Sequence, residues 1–255
     1  MITSGIDIGS ITAKCAILNG KKILGTRVIF TGYSAENAGV RVFEELLAEL
    51  GMEAAQVEKT VSTGYGRNSV KFSNKAVTEI TCHAAGAHFL NPKVRTIIDI
   101  GGQDSKAIAL ESDGKVKDFA MNDKCAAGTG RFLEVMARAL EVDLNDFGKM
   151  SDGAGNPSRI SSLCTVFAES EVISLISKGE GRENIIAGIH ESIAARVGAM
   201  ASRVGINPPV MMTGGVAKNA GVVRAMEKKL GVSIEVSPLA QLNGAIGAAV
   251  LARAV

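Results

Sequence analysis

The sequence of 255 residues has no tryptophan, 2 tyrosines, 5 prolines and 4 cysteines. It also lacks a long apolar run, since stretches such as residues 245–252 fall far short of the roughly 20 residues that a bilayer span requires. Its first residues contain no basic segment followed by an apolar one, the pattern of a signal peptide. We therefore expect no membrane partner and a cytoplasmic protein.

An excess of one charge sign is also missing. The 28 lysines and arginines and the 26 aspartates and glutamates give a net charge of +2, and they are interspersed along the chain. Because no basic stripe is present, we expect no nucleic-acid partner. What the chain has in excess is glycine, with 29 residues. So much glycine with so little proline is typical of the tight strand-to-helix turns of an α/β protein.

The four cysteines, Cys15, Cys82, Cys125 and Cys164, form no Cys-x-x-Cys motif. A zinc knuckle or a thioredoxin-like site within one chain is therefore not supported. Disulfides rarely persist in a reducing cytosol, so metal binding, catalysis or simple burial remain for these thiols.

Hydrophobic periodicity predicts alternating strands and helices. An apolar strand at the start of the chain and two more after it, joined through the Asn19-Gly20 turn, predict an antiparallel meander. Later strands are predicted at residues 57–63, 106–111, 115–121, 210–213 and 234–236. Helices are predicted at residues 34–50, 77–90, 131–140, 165–177, 183–204, 218–230 and 241–253. Turn-forming residues at 151–158 predict a surface excursion.

The opening segment recurs later in the chain. Residues 5–14 align with residues 97–106, about 92 residues on, and the second copy is again followed by strand candidates around a turn. The matched pairs are Ile6 and Ile98, Asp7 and Asp99, Ile8 and Ile100, Gly9 and Gly101, and Lys14 and Lys106. An internal duplication of this kind predicts two related domains.

Each copied turn has the composition of a phosphate-binding loop. Neither the P-loop motif nor the dinucleotide fingerprint is present. Instead, an aspartate at the end of a strand is followed by glycine and by hydroxyl or amide residues. Backbone N–H groups in such a turn can approach phosphate oxygens, while the carboxylate holds a magnesium shell. One such turn often serves only as a cap, but the duplication predicts that Asp7 and Asp99 flank a single Mg-nucleotide.

These segments resemble the actin-like ATPase superfamily, which includes actin, sugar kinases and heat-shock chaperones. Residues 5–14 resemble its first phosphate loop and residues 99–106 its second. Gly214-Gly215 resembles its adenosine loop, and residues 244–247 its last connecting helix. The resemblance implies an α/β, ribonuclease H-like fold of two duplicated domains, each a mixed sheet flanked by helices, that close on ATP. It divides the chain into residues 1–92 with about 241–255, and residues 93–240.

Two further segments narrow the resemblance. Residues 122–134 and 164–171 are similar to the signature stretches of the ATP-dependent activators of 2-hydroxyacyl-CoA dehydratases. That family includes the ATPase subunits of benzoyl-CoA reductase and the reductases of double-cubane cluster proteins. The similarity extends to residues 63–67 and 79–83. The chain departs from the pattern at Ile11, where many relatives have threonine, so Ser10 and Thr12 both remain candidates for contact with the terminal phosphate.

The resemblance implies that Cys125 and Cys164 hold one 4Fe-4S cluster shared across a homodimer. The number of cysteines agrees with this assignment. A cluster takes four thiolates, and two chains related by a two-fold axis supply two each. Both cysteines precede predicted helices, where the dipole favours thiolate. Cys15 in mid-strand and Cys82 on a helix are predicted to be core residues. The histidines His83, His88 and His190 are predicted to be structural.

The resemblance also implies the residues of a Mg-ATP site. Predicted catalytic residues are Asp7, Asp99, Gln103 and Asp104, of which Asp7 and Asp99 hold Mg2+. Predicted ATP/ADP-binding residues are Gly9, Ser10, Ile11, Thr12, Ala13, Lys14, Gly101, Gly102, Gly128, Thr129, Gly130, Glu134, Gly214, Gly215, Val216, Asn219 and Gln241.

The function so implied is ATP-driven transfer of one electron from a ferredoxin or flavodoxin, by way of the cluster, to an iron-sulfur dehydratase or reductase component. Two other hypotheses stay open at this point. One is a small-molecule kinase of the same fold, for which the chain has few insertions to bind an acceptor. The other is a nucleotide-dependent binding or filament module without redox chemistry. Neither accounts for Cys125 and Cys164.

Overall fold

The computed structural model describes residues 1–161 and 164–255. The strands are β1 (Ile2–Ile8), β2 (Thr12–Asn19), β3 (Lys22–Phe30), β4 (Lys59–Thr63), β5 (Lys75–Ala76), β6 (Thr96–Ile100), β7 (Ser105–Leu110), β8 (Val116–Asn122), β9 (Val210–Thr213) and β10 (Ile234–Val236). The helices are α1 (Ala35–Leu50), α2 (Glu79–Leu90), α3 (Gly130–Ala139), α4 (Phe147–Met150), α5 (Thr165–Ser177), α6 (Arg182–Val204), α7 (Ala220–Leu230) and α8 (Asn243–Leu251).

The chain divides into two compact units. Unit 1 comprises Met1–Ile97, Leu110–Lys117 and Ser237–Val255, and unit 2 comprises Ile98–Ala109 and Asp118–Val236. Two five-stranded sheets have the same topology, because the order β3-β2-β1-β4-β5 of the first is repeated as β8-β7-β6-β9-β10 in the second. The duplication predicted from the matched residues therefore extends beyond the aligned segments to whole sheets.

The first sheet is mixed. Strands β1 and β2 are antiparallel, as are β2 and β3, whereas β4 runs parallel to β1. The antiparallel meander predicted at the start of the chain is confirmed. Residues on one face, among them Ile6, Ile8 and Cys15, pack with α1 in one apolar cluster. On the other face, Ala16 and Leu18 pack with α8.

Capping residues determine where the helices begin. Ser34 accepts a hydrogen bond from the Asn37 amide and so caps α1, which ends at Gly51 in the left-handed region. The helices predicted from residues 77 and 218 begin two residues later, because Thr78 and Asn219 are their caps. Two short elements were not predicted, β5 and α4, since neither contains a full hydrophobic period.

The predicted surface excursion at residues 151–158 is mostly exposed but is anchored to its unit. It begins with a 3-10 turn at Ser151–Gly153, and the Ser158 amide donates to the Asn184 carbonyl over 2.9 Å. Asp152 forms an ion pair with Arg224. In the part of the chain that the structure describes, no helix is long and apolar enough to cross a membrane.

Candidate nucleotide and metal site

The first copied loop follows β1 in unit 1. Asp7 is almost fully buried, and Lys14 Nζ lies 3.2 Å from its Oδ2 atom. The Gly9 amide donates to the Thr12 carbonyl over 3.0 Å, which closes a tight turn around Ser10 and Ile11. The Thr31 hydroxyl supports this turn by donating to the Gly9 carbonyl over 2.8 Å. The turn thus holds its backbone in one conformation beside an ionisable carboxylate.

The second copied loop, in unit 2, is built in the same way but is more deeply buried. Asp99 and Lys106 are 2% and 1% exposed, and Lys106 Nζ lies 3.3 Å from Asp99 Oδ2. Lys106 also contacts Asp104 Oδ2 at 2.7 Å. The Gly101 amide donates to the Asp104 carbonyl over 2.9 Å, and the Thr213 hydroxyl donates to Asp99 Oδ1 over 2.7 Å. Asp99 is therefore held on both oxygens.

A Thr-Gly pair next to each loop completes the duplication. Gly64 and Gly214 have φ angles of 85° and 87°, in the left-handed region that favours glycine. A Cβ at Gly64 would lie 2.5 Å from Asp7 Oδ1, and one at Gly214 would clash with the Ile100 carbonyl. The sequence places Gly64 within a family signature and Thr213 at the start of the glycine segment of the nucleotide set, but it predicts no contact of either with an aspartate. The recurrence of Thr-Gly after a buried strand could have identified both.

The segment from Cys125 to Arg131 connects a cysteine to the second loop. The Gly130 amide donates to the Gly101 carbonyl and the Arg131 amide to the Gly102 carbonyl, both over 2.8 Å. Thr129 is fully buried, and Gly128 has a φ of 88°. Of the predicted residues Gly128, Thr129 and Gly130, the last is thus bonded directly to the second copied loop, and the other two immediately precede it.

The predicted adenosine loop forms a 3-10 turn at Gly215–Lys218 before α7. Val216 is buried, and Asn219 caps α7 by accepting from the Val222 amide over 3.2 Å. The other side-chain atom of Asn219, Nδ2, lies 3.3 Å from His190 Nε2. Burial, together with the charge of Arg224, lowers the pKa of His190 to about 4. A neutral imidazole therefore supports this asparagine.

The remaining predicted residues have less distinctive surroundings. Glu134 forms an ion pair with Arg131 over 3.0 Å on a partly exposed face, the arrangement of an ordinary helix surface. Gln103 is exposed, and Gln241 lies half-buried in a 3-10 turn of unit 1. Ala13 is buried in β2 beside the first loop, so its side chain packs in the core.

The four cysteines fall into two groups. Cys15 and Cys82 are fully buried, which raises the pKa of the Cys15 thiol and raises that of Cys82 to about 12. Cys125 is half-buried and Cys164 exposed, both in unit 2. Thiolate ligands must lose their protons, so the second group fits an iron-sulfur cluster and the first does not.

One expectation about the cysteines is wrong in part. Cys164 lies directly before α5, at its N-cap position, as expected, whereas Thr129 holds that position for α3 and Cys125 lies further upstream; neither Cys164 nor Thr129 makes a side-chain capping hydrogen bond. A turn closed by the Thr129 amide on the Ala126 carbonyl lies between Cys125 and the helix. Within residues 1–161 and 164–255, no group of three or more His, Cys, Asp or Glu side chains is placed to hold a metal ion.

Comparison with known proteins identifies close relatives over the whole chain. The (R)-2-hydroxyglutaryl-CoA dehydratase activating ATPase of Acidaminococcus fermentans is 51% identical over 252 residues, which are 98% of this chain and 96% of the relative. The crystal structure of component A of that organism's dehydratase matches with a TM-score of 0.95 and 51% identity, over 99% of this chain and 97% of the other.

A second solved structure is the activator of 2-hydroxyisocaproyl-CoA dehydratase from Clostridium difficile with bound ADPNP. It matches with a TM-score of 0.94 and 47% identity, over 99% of this chain and 94% of the other. The two sheets of like topology and these neighbours identify the predicted fold, that of the actin-like ATPases. The model of the BadF/BadG/BcrA/BcrD ATPase family matches residues 4–252. The chain belongs to this ATPase family.

Proposed function

We propose that the protein hydrolyses ATP to drive the transfer of one electron from a reduced ferredoxin or flavodoxin to an iron-sulfur partner enzyme. The partner is a 2-hydroxyacyl-CoA dehydratase or a related reductase component, the kind of enzyme that the names of its relatives specify. The observation that carries this proposal is the segment from Cys125 to Arg131. It joins an accessible thiol to the backbone of the second phosphate loop through two hydrogen bonds.

The ATP half of the proposal assigns roles to the duplicated loops. Asp7 and Asp99 would hold Mg2+, since both are nearly buried carboxylates at the ends of strands, each with a lysine beside it. The turns at Gly9 and Gly101 would direct backbone N–H groups at phosphate oxygens. Gln103 would orient the attacking water, because it is an exposed amide within the second loop. Gly214, Gly215 and Asn219 would contact the adenosine.

The redox half assigns Cys125 and Cys164 to a cluster shared by two copies of the chain. When bound, a 4Fe-4S cluster accepts one electron and gives it up again at low potential. Two accessible thiols in each chain supply the four thiolates only if two chains meet, so a homodimer follows from the donor set. The exposed apolar residues Val166, Phe167 and Ile173 of α5, which follows Cys164, are consistent with burial against another chain.

The hydrogen bonds around Gly130 provide the coupling. A change of nucleotide at the second loop moves the carbonyls of Gly101 and Gly102, and these hold the start of α3, close in sequence to Cys125. Shifting a two-state equilibrium from 1:99 to 99:1 takes roughly 5.5 kcal/mol. Since about 1.4 kcal/mol corresponds to 59 mV for one electron, this energy is worth roughly 0.2 V. A difference in nucleotide binding energy of this size is enough to drive the transfer of an electron at low potential.

Anaerobic purification tests the proposal. We expect brown protein with about four iron atoms per two chains and an EPR signal after reduction with dithionite. Cys125→Ser and Cys164→Ser are each expected to abolish the iron and weaken the dimer. Cys15→Ser and Cys82→Ser are the matched controls and are expected to keep the iron, because both thiols are buried. Iron loss in a control would overturn the ligand assignment, and iron-free wild type after reconstitution would overturn the redox half.

A further inference from the structure

The segment that carries Cys125 is an excursion with no counterpart in unit 1. There, the chain leaves β3 and bonds the first copied loop at once, because the Thr31 hydroxyl donates to the Gly9 carbonyl over 2.8 Å. In unit 2, the strand that corresponds to β3 is β8, and the carbonyl of Gly101, the counterpart of Gly9, accepts from an amide at the start of α3. Residues 123–129 therefore separate β8 from this bond, and Cys125 lies within them.

The part of this excursion nearest to α3 is anchored by its own contacts. The Thr129 amide donates to the Ala126 carbonyl over 3.0 Å, and the Thr129 hydroxyl donates to the same oxygen. Helix α6 packs against the turn, since a Cβ at Gly128 would lie 3.2 Å from Cδ of Arg196. The backbone from Ala126 to α3 is thus fixed from both sides.

The part nearest to β8 is cross-linked by Asn122, the last residue of that strand. Its Nδ2 atom donates to the Cys125 carbonyl over 2.8 Å. A carbonyl can only accept, so this contact also determines which way the amide of Asn122 faces. Asp123 and Lys124, the residues that the bond spans, are exposed and lie outside helices and strands. The bond closes this stretch of chain into a turn.

The closed turn determines where the Cys125 side chain begins. A hydrogen bond to the Cys125 carbonyl restricts the ψ angle of this residue, and the fixed Ala126 carbonyl restricts the backbone that follows. The direction of the Cα–Cβ bond is then set, and rotation about χ1 remains for the Sγ atom. A metal ligand that is held in this way loses less conformational entropy when the metal binds. The thiol is also half-buried, so an opened turn exposes it further.

We infer that Asn122 is a positioning residue for Cys125, which it holds by the main-chain carbonyl. The inference deepens the proposed function and rests on its redox half, because Cys125 is assigned there to the cluster. The role of Asn122 is neither ligation nor charge. Its Nδ2–H group keeps the turn closed before a cluster binds, so that the thiolate is presented in one place.

Thiol reactivity of the iron-free protein tests the turn without the cluster. In a Cys164→Ser background, Cys125 is the accessible thiol for iodoacetamide, because Cys15 and Cys82 are fully buried. We expect Asn122→Ala to raise the rate of alkylation at Cys125 about fivefold, the effect of one lost hydrogen bond on the closure of the turn. Asn122→Gln keeps the donor on a longer side chain and should stay within about twofold of the background.

Asp123→Ala is the matched control, because Asp123 is the next residue in the turn and is exposed. It should leave the alkylation rate within about twofold of the background. An unchanged rate in Asn122→Ala would overturn the inference. An equal rise in Asp123→Ala would overturn it too, since any substitution at the end of β8 would then loosen the segment. So would an equal rise in Asn122→Gln, because the donor would then be irrelevant.

The rate of iron release tests the position of the ligand in the loaded protein. With all four cysteines present, the transfer of iron to the chelator ferrozine is followed anaerobically by absorbance. We expect Asn122→Ala to release iron about tenfold faster than wild type, and Asp123→Ala to match wild type. Faster alkylation with an unchanged release rate would overturn the positioning role. If wild type holds no iron after reconstitution, the redox half of the proposed function fails, while the alkylation rates still decide whether Asn122 holds the turn.

Discussion

The two copied loops differ in the side-chain contacts that they give to the corresponding aspartates, Asp7 and Asp99. In unit 2, Asp99 receives a hydrogen bond from Thr213, and Lys106, which contacts it, is 1% exposed. In unit 1, Asp7 has Lys14, whose side chain is 13% exposed. A duplicated sequence has thus kept the carboxylate and the lysine but changed what surrounds them. The second loop is the more deeply buried copy, and its backbone bonds the segment that follows Cys125.

The largest difference between the two loops is expected in the loss of stability when each lysine is removed. Lys106→Met removes the ammonium that contacts the buried Asp99 and the partly exposed Asp104, which is expected to lower the free energy of unfolding by about 3–5 kcal/mol. Lys14→Met is expected to cost less, because the side chains of Lys14 and Asp7 are 13% and 9% exposed, against 2% and 3% for Lys106 and Asp99. Urea unfolding followed by circular dichroism measures both. Equal losses would contradict the ranking of the two loops.

The roles of the two aspartates are compared by the ATPase rates of their asparagine variants. Asp99→Asn and Asp7→Asn are each expected to reduce the ATPase rate about 100-fold to 1,000-fold, because each removes a charge that the proposed function assigns to magnesium binding. The iron content of both variants is expected to equal that of wild type. A variant with normal ATPase would show that its loop is not part of the nucleotide site, and loss of iron would contradict the separation of the two sites.

Each unit also has a buried histidine that contacts an asparagine, His83 with Asn243 in unit 1 and His190 with Asn219 in unit 2, and these pairs give a third comparison. The pKa of His190 falls from its ordinary value of 6.5 to about 4 in the folded protein. The unfolded chain therefore binds the additional proton between these values, so stability from this group is present above pH 6.5 and is lost as the pH falls to 4. The expected loss is about 3 kcal/mol at pH 4.

His190→Gln isolates this contribution. The difference in unfolding free energy between wild type and variant should shrink as the pH is lowered from 7 to 4, measured by urea titration at each pH. His83→Gln is the matched variant in unit 1. A constant difference for His190→Gln across this range would contradict a buried, neutral His190.

The smallest expected effect concerns the hydroxyl that distinguishes the loops. Thr213→Val removes a buried hydrogen bond to a carboxylate, with an expected loss of about 2 kcal/mol of stability. Thr63→Val is expected to lose less than about 1 kcal/mol, because Thr63 lies beside Cys82 rather than bonded to Asp7. Thermal unfolding of the two proteins side by side measures the difference. If Thr63→Val lost as much, the two carboxylates would be supported alike.

Much of this comparison could be predicted from the sequence, because the repeat is local. The pairs Asp7 with Lys14 and Asp99 with Lys106 are close in the chain, and their spacing on paired strands is the same in both copies. Hydrophobic periodicity likewise predicted the meander and the long helices, since each contains several turns or a full strand.

What could not be predicted depends on contacts between distant segments. Thr213 meets Asp99 across 114 residues, and Gly244 meets Asp7 and His83 from the far end of the chain. No local pattern encodes such proximity. The turn closed by the Thr129 amide on the Ala126 carbonyl, with Gly128 in the left-handed region, separates Cys125 from α3, which begins at Gly130, one residue before its predicted start.

The most direct test measures whether electron transfer from the protein to its partner enzyme depends on which nucleotide is present. Dithionite-reduced protein, freed of excess reductant, is mixed anaerobically with an iron-sulfur 2-hydroxyacyl-CoA dehydratase, and the EPR signals of both are followed. With Mg-ATP we expect the signal of the protein to disappear as the partner gains one electron, and with ADP or with Asp99→Asn we expect no transfer. Transfer at the same rate without ATP would contradict the account.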